Sequence, residues 1–275
     1  MCVEKQSGDI DLGVASQEEI DWVGQLQNVK SVSIAIVDDN IDLIPIAGLK
    51  QLEELYITVN NYSKELDFSF LRELTHLKRL YLCEGNGEWN TLGCLKELEE
   101  LEIVEAEIET LDFLQELTKL KDLSLSCVCD TDMDNLRNIK KLESIFLKGY
   151  DIRNIECLQE MKNIRSINLV EMKSDVHNGE GISTEIFSEM DKLKNLYLIR
   201  MDIKDLTPIS VLANVEKIVL VENGLESIQC LNKLPRLKEL LVYGECNERI
   251  KEEAEQYFSE LEIIIVEDEI PDSYR

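Results

Sequence analysis

Apolar and polar positions along this chain repeat as L-x-x-L-x-x-L-x-L, with Ile, Val or Met often standing for Leu, at a spacing close to 22 residues. Clear instances are Leu95/Leu98/Leu101/Ile103, Leu117/Leu120/Leu123/Leu125 and Leu234/Leu237/Leu240/Val242. The first residue of each L-x-L pair falls at positions 55, 80, 101, 123, 145, 167, 196, 218, 240 and 263, in steps of 21 to 29 residues. A period of that size marks a solenoid, because one repeat cannot bury its apolar side without neighbours. Strand side chains alternate with period two, so each L-x-L pair predicts a short strand with two apolar residues inward and the flanking residues outward. Stacked repeats pair these strands in parallel, giving a sheet of about 10–11 short strands. The return side of a 22-residue repeat is too short for a full helix with its loops, which predicts 3₁₀ turns and short helical pieces.

The ends differ from the repeats. Ser16 and Glu19 have the spacing of a capping box, and Ile20, Val23 and Leu26 follow on one face, which predicts a cap helix. Residues 248–258 have helical spacing at Ile250, Ala254, Tyr257 and Phe258, and Leu261, Ile263 and Ile265 complete the far end. The expected organisation is one domain: an N-terminal tail and cap helix over 1–25, about ten repeats over 26–247, and a C-terminal cap helix, last strand and tail over 248–275. Two long steps hold turn-rich insertions, residues 84–89 and residues 173–181.

The stretch Leu212-Ala-Asn-Val-Glu-Lys-Ile-Val-Leu-Val-Glu-Asn-Gly-Leu-Glu-Ser-Ile228, preceded by Asp205-Leu-Thr-Pro-Ile209, resembles the leucine-rich repeat family in its 22-residue, internalin-like bacterial class. The resemblance implies an α/β fold, a curved right-handed solenoid whose parallel sheet lines the concave side. It also implies that the motif asparagine ties successive turns through backbone hydrogen bonds. That residue is present here at Asn60 and Asn223 and replaced by Gly85, Ala106, Val128, Tyr150, Met172, Met201 and Glu245. A continuous asparagine ladder is therefore not expected, and loop amides must find water or backbone.

Composition narrows the partners. With 56 acidic against 29 basic residues the formal charge is -27, a field that repels nucleic acid and anionic membrane. The acidity serves either solubility or attraction of a basic protein, and both readings stand. No apolar run reaches the length of a signal peptide or membrane helix, so a cytoplasmic location is expected, with Cys2 as a lipoprotein remnant the alternative. Eight scattered cysteines suit a reducing compartment, and Cys157 and Cys230 take the repeat position that Phe113 fills elsewhere, as small core residues.

No catalytic, cofactor or metal site is expected. Cys127 and Cys129 next to Asp130, Asp132 and Asp134 lack a second cysteine pair, and Asn135 and Lys141 stand where a calcium loop needs Gly and Glu. His76 and His177 have no nucleophile or carboxylate arrangement around them. The candidate site is instead the outward face of the strands: Tyr56, Tyr81, Glu100, Glu102, Phe146, Tyr197, Ile199, Val219, Val221, Leu241 and Tyr243. Exposed aromatic and aliphatic residues mark partner surfaces, although Val, Ile and Tyr also suit strands for their own sake. The expected function is non-enzymatic binding of a protein partner of basic character on the concave face, as in an immunity protein that neutralises a toxin. The alternatives are a cytoplasmic adaptor or phosphatase-regulator-like scaffold, and an internalin-like cell-surface adhesin.

Overall fold

The computed structural model describes residues 3–5, 8–38, 40–60, 65–84, 86–106, 108, 110–127, 131–149, 152–153, 155–172, 182–244 and 247–274. The insertion at 173–181, with His177, lies outside them, as do Cys129, Asp130 and the motif positions Gly85, Val128, Tyr150 and Glu245. The chain forms two compact units, Met1–Leu142 and Glu143–Arg275.

In the N-terminal unit, β1 (Val3–Lys5) pairs antiparallel with β2 (Asp9–Val14). Parallel strands follow: β3 (Ser31–Ile36), β4 (Glu54–Val59), β5 (Arg79–Cys83), β6 (Glu100–Ala106) and β7 (Asp122–Cys127). The C-terminal unit contains β8 (Ser144–Lys148), β9 (Ser166–Val170), β10 (Asn195–Ile199), β11 (Lys217–Val221), β12 (Glu239–Tyr243) and β13 (Ile263–Glu267), all parallel. Register is set by the rungs. Leu55, Leu80 and Leu101 align, as do Ile57, Leu82 and Ile103, and all are buried. Each such side chain contributes about 1.5–3 kcal/mol of burial, and a one-residue slip would turn it into water. The return segments are 3₁₀ turns, such as Phe68–Glu73, Trp89–Cys94 and Asp112–Glu116.

A further repeated device ends the strands. Glu84, Glu105, Glu171, Arg200, Glu222 and Gly244 each follow the second outward residue of a strand, and all have φ between 48° and 74°. The left-handed turn carries the chain off the sheet. The amides of Glu171, Arg200 and Glu222 donate to the last carbonyl of the next strand at 2.8–3.0 Å. Five of these six positions hold a residue other than glycine, a conformation that is uncommon for such residues. In the first insertion, a Cβ on Gly87 would stand 2.5 Å from the Phe68 ring, so that ring's approach requires glycine.

The asparagine positions behave unequally. Asn223 is buried; its Nδ2 donates to the carbonyls of Leu198 (2.7 Å) and Val221 (3.1 Å), and its Oδ1 accepts the Met201 amide (3.0 Å). Asn60 is exposed. At the replaced positions Ala106, Met172 and Met201 are buried, so apolar packing stands where an amide would bridge. Cys157 is fully buried as expected, whereas Cys230 is only half-buried. Asp132 accepts the Asp134 amide at 2.9 Å, a local turn cap.

Both terminal regions carry a helix. The capping box of α1 (Gln17–Val23) is formed, with the Ser16 amide donating to Glu19 at 3.0 Å and Ile20 and Val23 buried. The segment expected as a tail ahead of it instead carries β1 and β2, with Ile10 and Leu12 buried. At the other end α2 (Glu248–Tyr257) is capped by Asn247, whose Oδ1 accepts the Ile250 amide at 3.0 Å. Glu253 of α2 is buried and ties the helix to the preceding repeat. Its carboxylate accepts from the Ser227 hydroxyl (2.8 Å), the amides of Ile228 (2.8 Å) and Gln229 (3.0 Å), and Arg249 Nε (3.0 Å). Burial pushes this carboxyl's pKa up, but the donors at Ser227, Ile228, Arg249 and Gln229 together bring it below the usual value of 4.5.

Chemical denaturation checks two of these anchors. Asn223→Ala strands a buried N–H and a buried carbonyl and costs about 2–3 kcal/mol, whereas Asn60→Ala changes stability by less than about 0.5 kcal/mol. Glu253→Gln costs about 1–3 kcal/mol at pH 7. Because the native pKa is depressed, Glu253's contribution is complete above about 4.5 and fades as pH falls through the native value. The gap between wild type and variant therefore closes on acidification, and a gap constant from pH 7 to about pH 3 contradicts the assignment.

Candidate functional site

The outward positions lie on the sheet face opposite the rungs, as their alternation requires, but the two units use that face differently. In the N-terminal unit Tyr56 and Tyr81 are register partners on β4 and β5, with ring centroids 6.3 Å apart and planes tilted by 37°. Both rings are half-buried. The Tyr56 hydroxyl donates to Glu54 at 3.2 Å, and Arg79 bridges Glu54 (2.6 Å) and Glu100 (3.1 Å). Beside them is an open groove of about 660 Å³ lined by Asp9, Asp11, Ser33, Glu54, Tyr56 and Tyr81, among other residues. Three carboxylates and no lysine or arginine contribute to its wall. Burial, the Cys83 thiol and then Glu102 and Glu105 push the Tyr81 hydroxyl up to about 12, so it remains a neutral donor. Glu102 stands exposed next to Tyr81 in register.

Much of the acidity elsewhere in this unit is paired. The residue just before each strand alternates in sign through Lys30, Glu53, Lys78, Glu99 and Lys121, a column legible in the sequence that the charge count hides. Glu53 bridges Lys30 and Lys78, and these two ammonium groups, Lys30 first, hold its carboxyl at about 2. Lys121 pairs with Glu99 at 2.6 Å, and Lys119 with Glu97. The acidic fourth repeat is thus partly a set of ion pairs.

In the C-terminal unit the outward columns read Phe146, Asn168, Tyr197, Val219, Leu241, Ile265 and Lys148, Val170, Ile199, Val221, Tyr243, Glu267, in register. These positions were expected to be open. Val219 and Val221 are instead 0% exposed, Ile199 4%, Tyr243 5%, Val170 7% and Leu241 8%. They form a second apolar cluster on the outer side of the sheet, against which Phe146, Tyr197, Ile265, Ile270 and Tyr274 pack. The segment after β13 supplies the cover. Tyr274 stacks on Tyr243 with centroids 5.7 Å apart, and Ile270 lies beside Gly244. Arg200 holds the edge, pairing with Glu171 (2.8 Å) and Glu222 (2.6 Å) and donating to the Tyr274 carbonyl at 3.4 Å. Phe146 and Tyr197 remain partly exposed at the side of this cluster. Sequence alternation places these side chains on the outward side of the strands; the signal for their cover was the Ile270 and Tyr274 pair beyond the last strand.

Val219→Ala therefore behaves as a core substitution and lowers stability by about 2 kcal/mol, while Tyr56→Ala changes it by less than about 1 kcal/mol. Equal effects in urea denaturation would show that the two faces are not differently buried.

Among the described residues no helix is long and apolar enough to cross a membrane. No protein-family model and no curated protein matches the sequence. Solved structures do. The chain is similar to an internalin, inlF, from Listeria monocytogenes, with 16% identity over 96% of this chain and 87% of that one, at a TM-score of 0.64. It is similar to the PEPR1–AtPEP1 structure at 16% identity, over 96% of this chain and 45% of that chain, with a TM-score of 0.57. It is also similar to the plant peptide hormone receptor RGFR1 in complex with RGF2, at 15% identity over 94% and 42%, with a TM-score of 0.55. The chain spans less than half the length of these last two. Inward rungs, parallel strands, 3₁₀ returns and these likenesses together establish the leucine-rich-repeat solenoid fold.

Proposed function

We propose that this chain is a non-enzymatic interaction module that docks a basic protein segment on the outward sheet face of its N-terminal unit. The observation that carries this reading is the groove beside Tyr56 and Tyr81. Two aromatic rings with neutral hydroxyls sit among Asp9, Asp11 and Glu54, with Glu102 at the rim. Tyrosines supply most binding energy at such surfaces, and the carboxylates select and steer cationic partners. The strands hold both rings before any partner arrives, so little ordering entropy is lost on binding. The likeness to the plant peptide hormone receptor RGFR1 in complex with RGF2 supports a peptide or protein as the ligand class. The sharper form is a cytoplasmic bacterial inhibitor, such as an immunity protein against a basic toxin or nuclease. A second reading, a cell-surface adhesin, takes its support from the likeness to the Listeria internalin.

The test is affinity capture from the native host with wild type and Tyr56→Ala/Tyr81→Ala side by side, followed by cross-link mapping. The expected result is a partner of pI above about 9, cross-linked to β4–β6 and held at least about 10-fold more weakly by the double variant. Binding should also weaken as salt rises from about 0.05 to about 0.5 M. An acidic partner, or one that binds both proteins equally, overturns the reading.

A further inference from the structure

The last strand of the C-terminal unit has no successor, and it is not built as a cap. β13 reads Ile-Ile-Ile-Val-Glu over Ile263–Glu267. In register with β12, Ile264 stands beside Leu240 and Val266 beside Val242, so the last rung begins one residue later than the sequence spacing places it. Ile264 and Val266 therefore point inward, and Ile263 and Ile265 outward, where Ile265 packs against the outward cluster. Every earlier rung pair of this unit, from Ile145/Leu147 to Leu240/Val242, is buried. Here Ile264, Ile265 and Val266 are only half-buried, and Ile263 is 41% exposed. The strand is apolar on both sides and incompletely covered on both.

Its backbone is open as well. The Ile263 amide donates to the Lys238 carbonyl at 3.1 Å, and the Glu267 carbonyl accepts the Gly244 amide at 2.9 Å, so Ile263, Ile265 and Glu267 turn their peptide groups toward β12. Those of Ile264 and Val266 turn the other way, and among the described residues no strand pairs with that edge. Edge strands commonly carry a device against pairing: a charge, a proline, a bulge or very short length. Residues 263–266 carry no charge and no proline, and their register with β12 is unbroken. The outermost strand of the N-terminal unit differs: β1 has three residues and pairs antiparallel, and β2 shifts register against β3 between Asp11 and Val14.

What fits such an edge is another strand, uncharged and apolar on both sides, and the chain itself carries one. We propose that β13 pairs with β13 of a second copy of this chain, antiparallel about a two-fold axis at Ile265. The axis follows from the peptide directions. Only Ile264 and Val266 within the apolar run face outward with their backbone, so Ile264 of one protomer exchanges hydrogen bonds with Val266 of the partner subunit, and the symmetric pair does the same. On the rung side Ile264 meets the partner's Val266; on the outward side Ile265 meets the partner's Ile265. Both apolar layers thus continue from one copy into the next, and the two-fold closes the assembly at a dimer. A basic segment finds no carboxylate within residues 263–266. The opposing force is global, because each copy carries a net charge of -27.

Sedimentation of the wild-type chain from about 1 to about 100 µM, in about 0.5 M salt, should show a monomer–dimer equilibrium. Lowering salt to about 0.05 M weakens the dimer at least about 5-fold, because repulsion between two acidic chains is less screened. That sign is opposite to the one expected for a basic partner beside Tyr56 and Tyr81. Ile264→Pro removes an edge N–H without touching the ladder to β12, and weakens association at least about 10-fold in a chain that stays folded by circular dichroism. Ile265→Cys locates the axis. Its Cα lies about 4.5 Å from its symmetry mate, within disulfide range, so mild oxidation links the copies. Ile263→Cys lies more than about 12 Å from its own mate and links no more than wild type does. A chain monomeric up to about 100 µM in high salt, a dimer that Ile264→Pro leaves intact, equal linking by the two cysteine variants, or species longer than the dimer overturns the proposal. Should Ile264→Pro not fold, the wild-type equilibrium and the cysteine variants decide alone. Tyr56→Ala/Tyr81→Ala dimerises as wild type does, so loss of the dimer and loss of partner capture are separate results.

Discussion

Two apolar side chains per strand have to point to the same side of the sheet, and every neighbouring strand has to place its own pair beside them. That constraint accounts for the rest of the fold. Leu55 and Ile57 are buried because Leu80 and Leu82 stand in register next to them, and these in turn rely on Leu101 and Ile103. In the N-terminal unit β2 pairs with β3 ahead of the first rung and α1 buries Ile20 and Val23, and in the C-terminal unit β13 pairs with β12 after the last. At six strands a left-handed turn follows the second outward residue, and the amides of Glu84, Glu171, Arg200, Glu222 and Gly244 donate to a carbonyl of the next strand, so the exit from one repeat is hydrogen-bonded to the following repeat.

What the sequence displays and what it conceals follow from the range of the interactions. The rungs, the capping box at Ser16 and Glu19 and the helix at 248–257 are local patterns, and each appears where its spacing places it. The exit turns are hidden because Glu84, Glu105, Glu171 and Glu222 are not residues that announce positive φ; the surrounding hydrogen bonds impose it. The N-terminal hairpin is hidden because Asp9-Ile10-Asp11-Leu12 offers only two apolar positions, too few to separate a strand from a tail. Asn60 and Asn223 occupy the same motif place, yet only Asn223 is buried, so the motif alone does not distinguish a bridge from a surface residue. The burial of Val219, Val221 and Tyr243 depends on Tyr274, whose carbonyl meets Arg200 across 74 residues of sequence, and no window-based pattern contains both.

Charge shows the same division between total and arrangement. A net value of -27 describes a uniformly acidic object, but the side chains at the strand entrances are ordered as alternating partners, with Glu53 between Lys30 and Lys78 and Glu216 between Lys194 and Lys238. Pairs this exposed add little stability. Their effect is on the field: they neutralise the strand entrances, while Glu102 stands exposed on the sheet face beside Tyr81.

Outward positions are free of the rung constraint, which is why they can differ between units of one chain. In the N-terminal unit they are Ser33, Tyr56, Tyr81 and Glu102, side chains that tolerate water, and the face is open. In the C-terminal unit they become Val219, Val221, Leu241 and Ile265, and a sheet that is apolar on both sides cannot leave the second side bare without exposing a large hydrophobic patch. Some segment has to cover it. The nearest one available is the chain immediately beyond β13, and it carries an isoleucine and a tyrosine spaced to reach Gly244 and Tyr243. The cover is thus a physical consequence of the outward valines and leucine, and the identity of those residues, more than the repeat itself, decides whether the outward face of a unit is open.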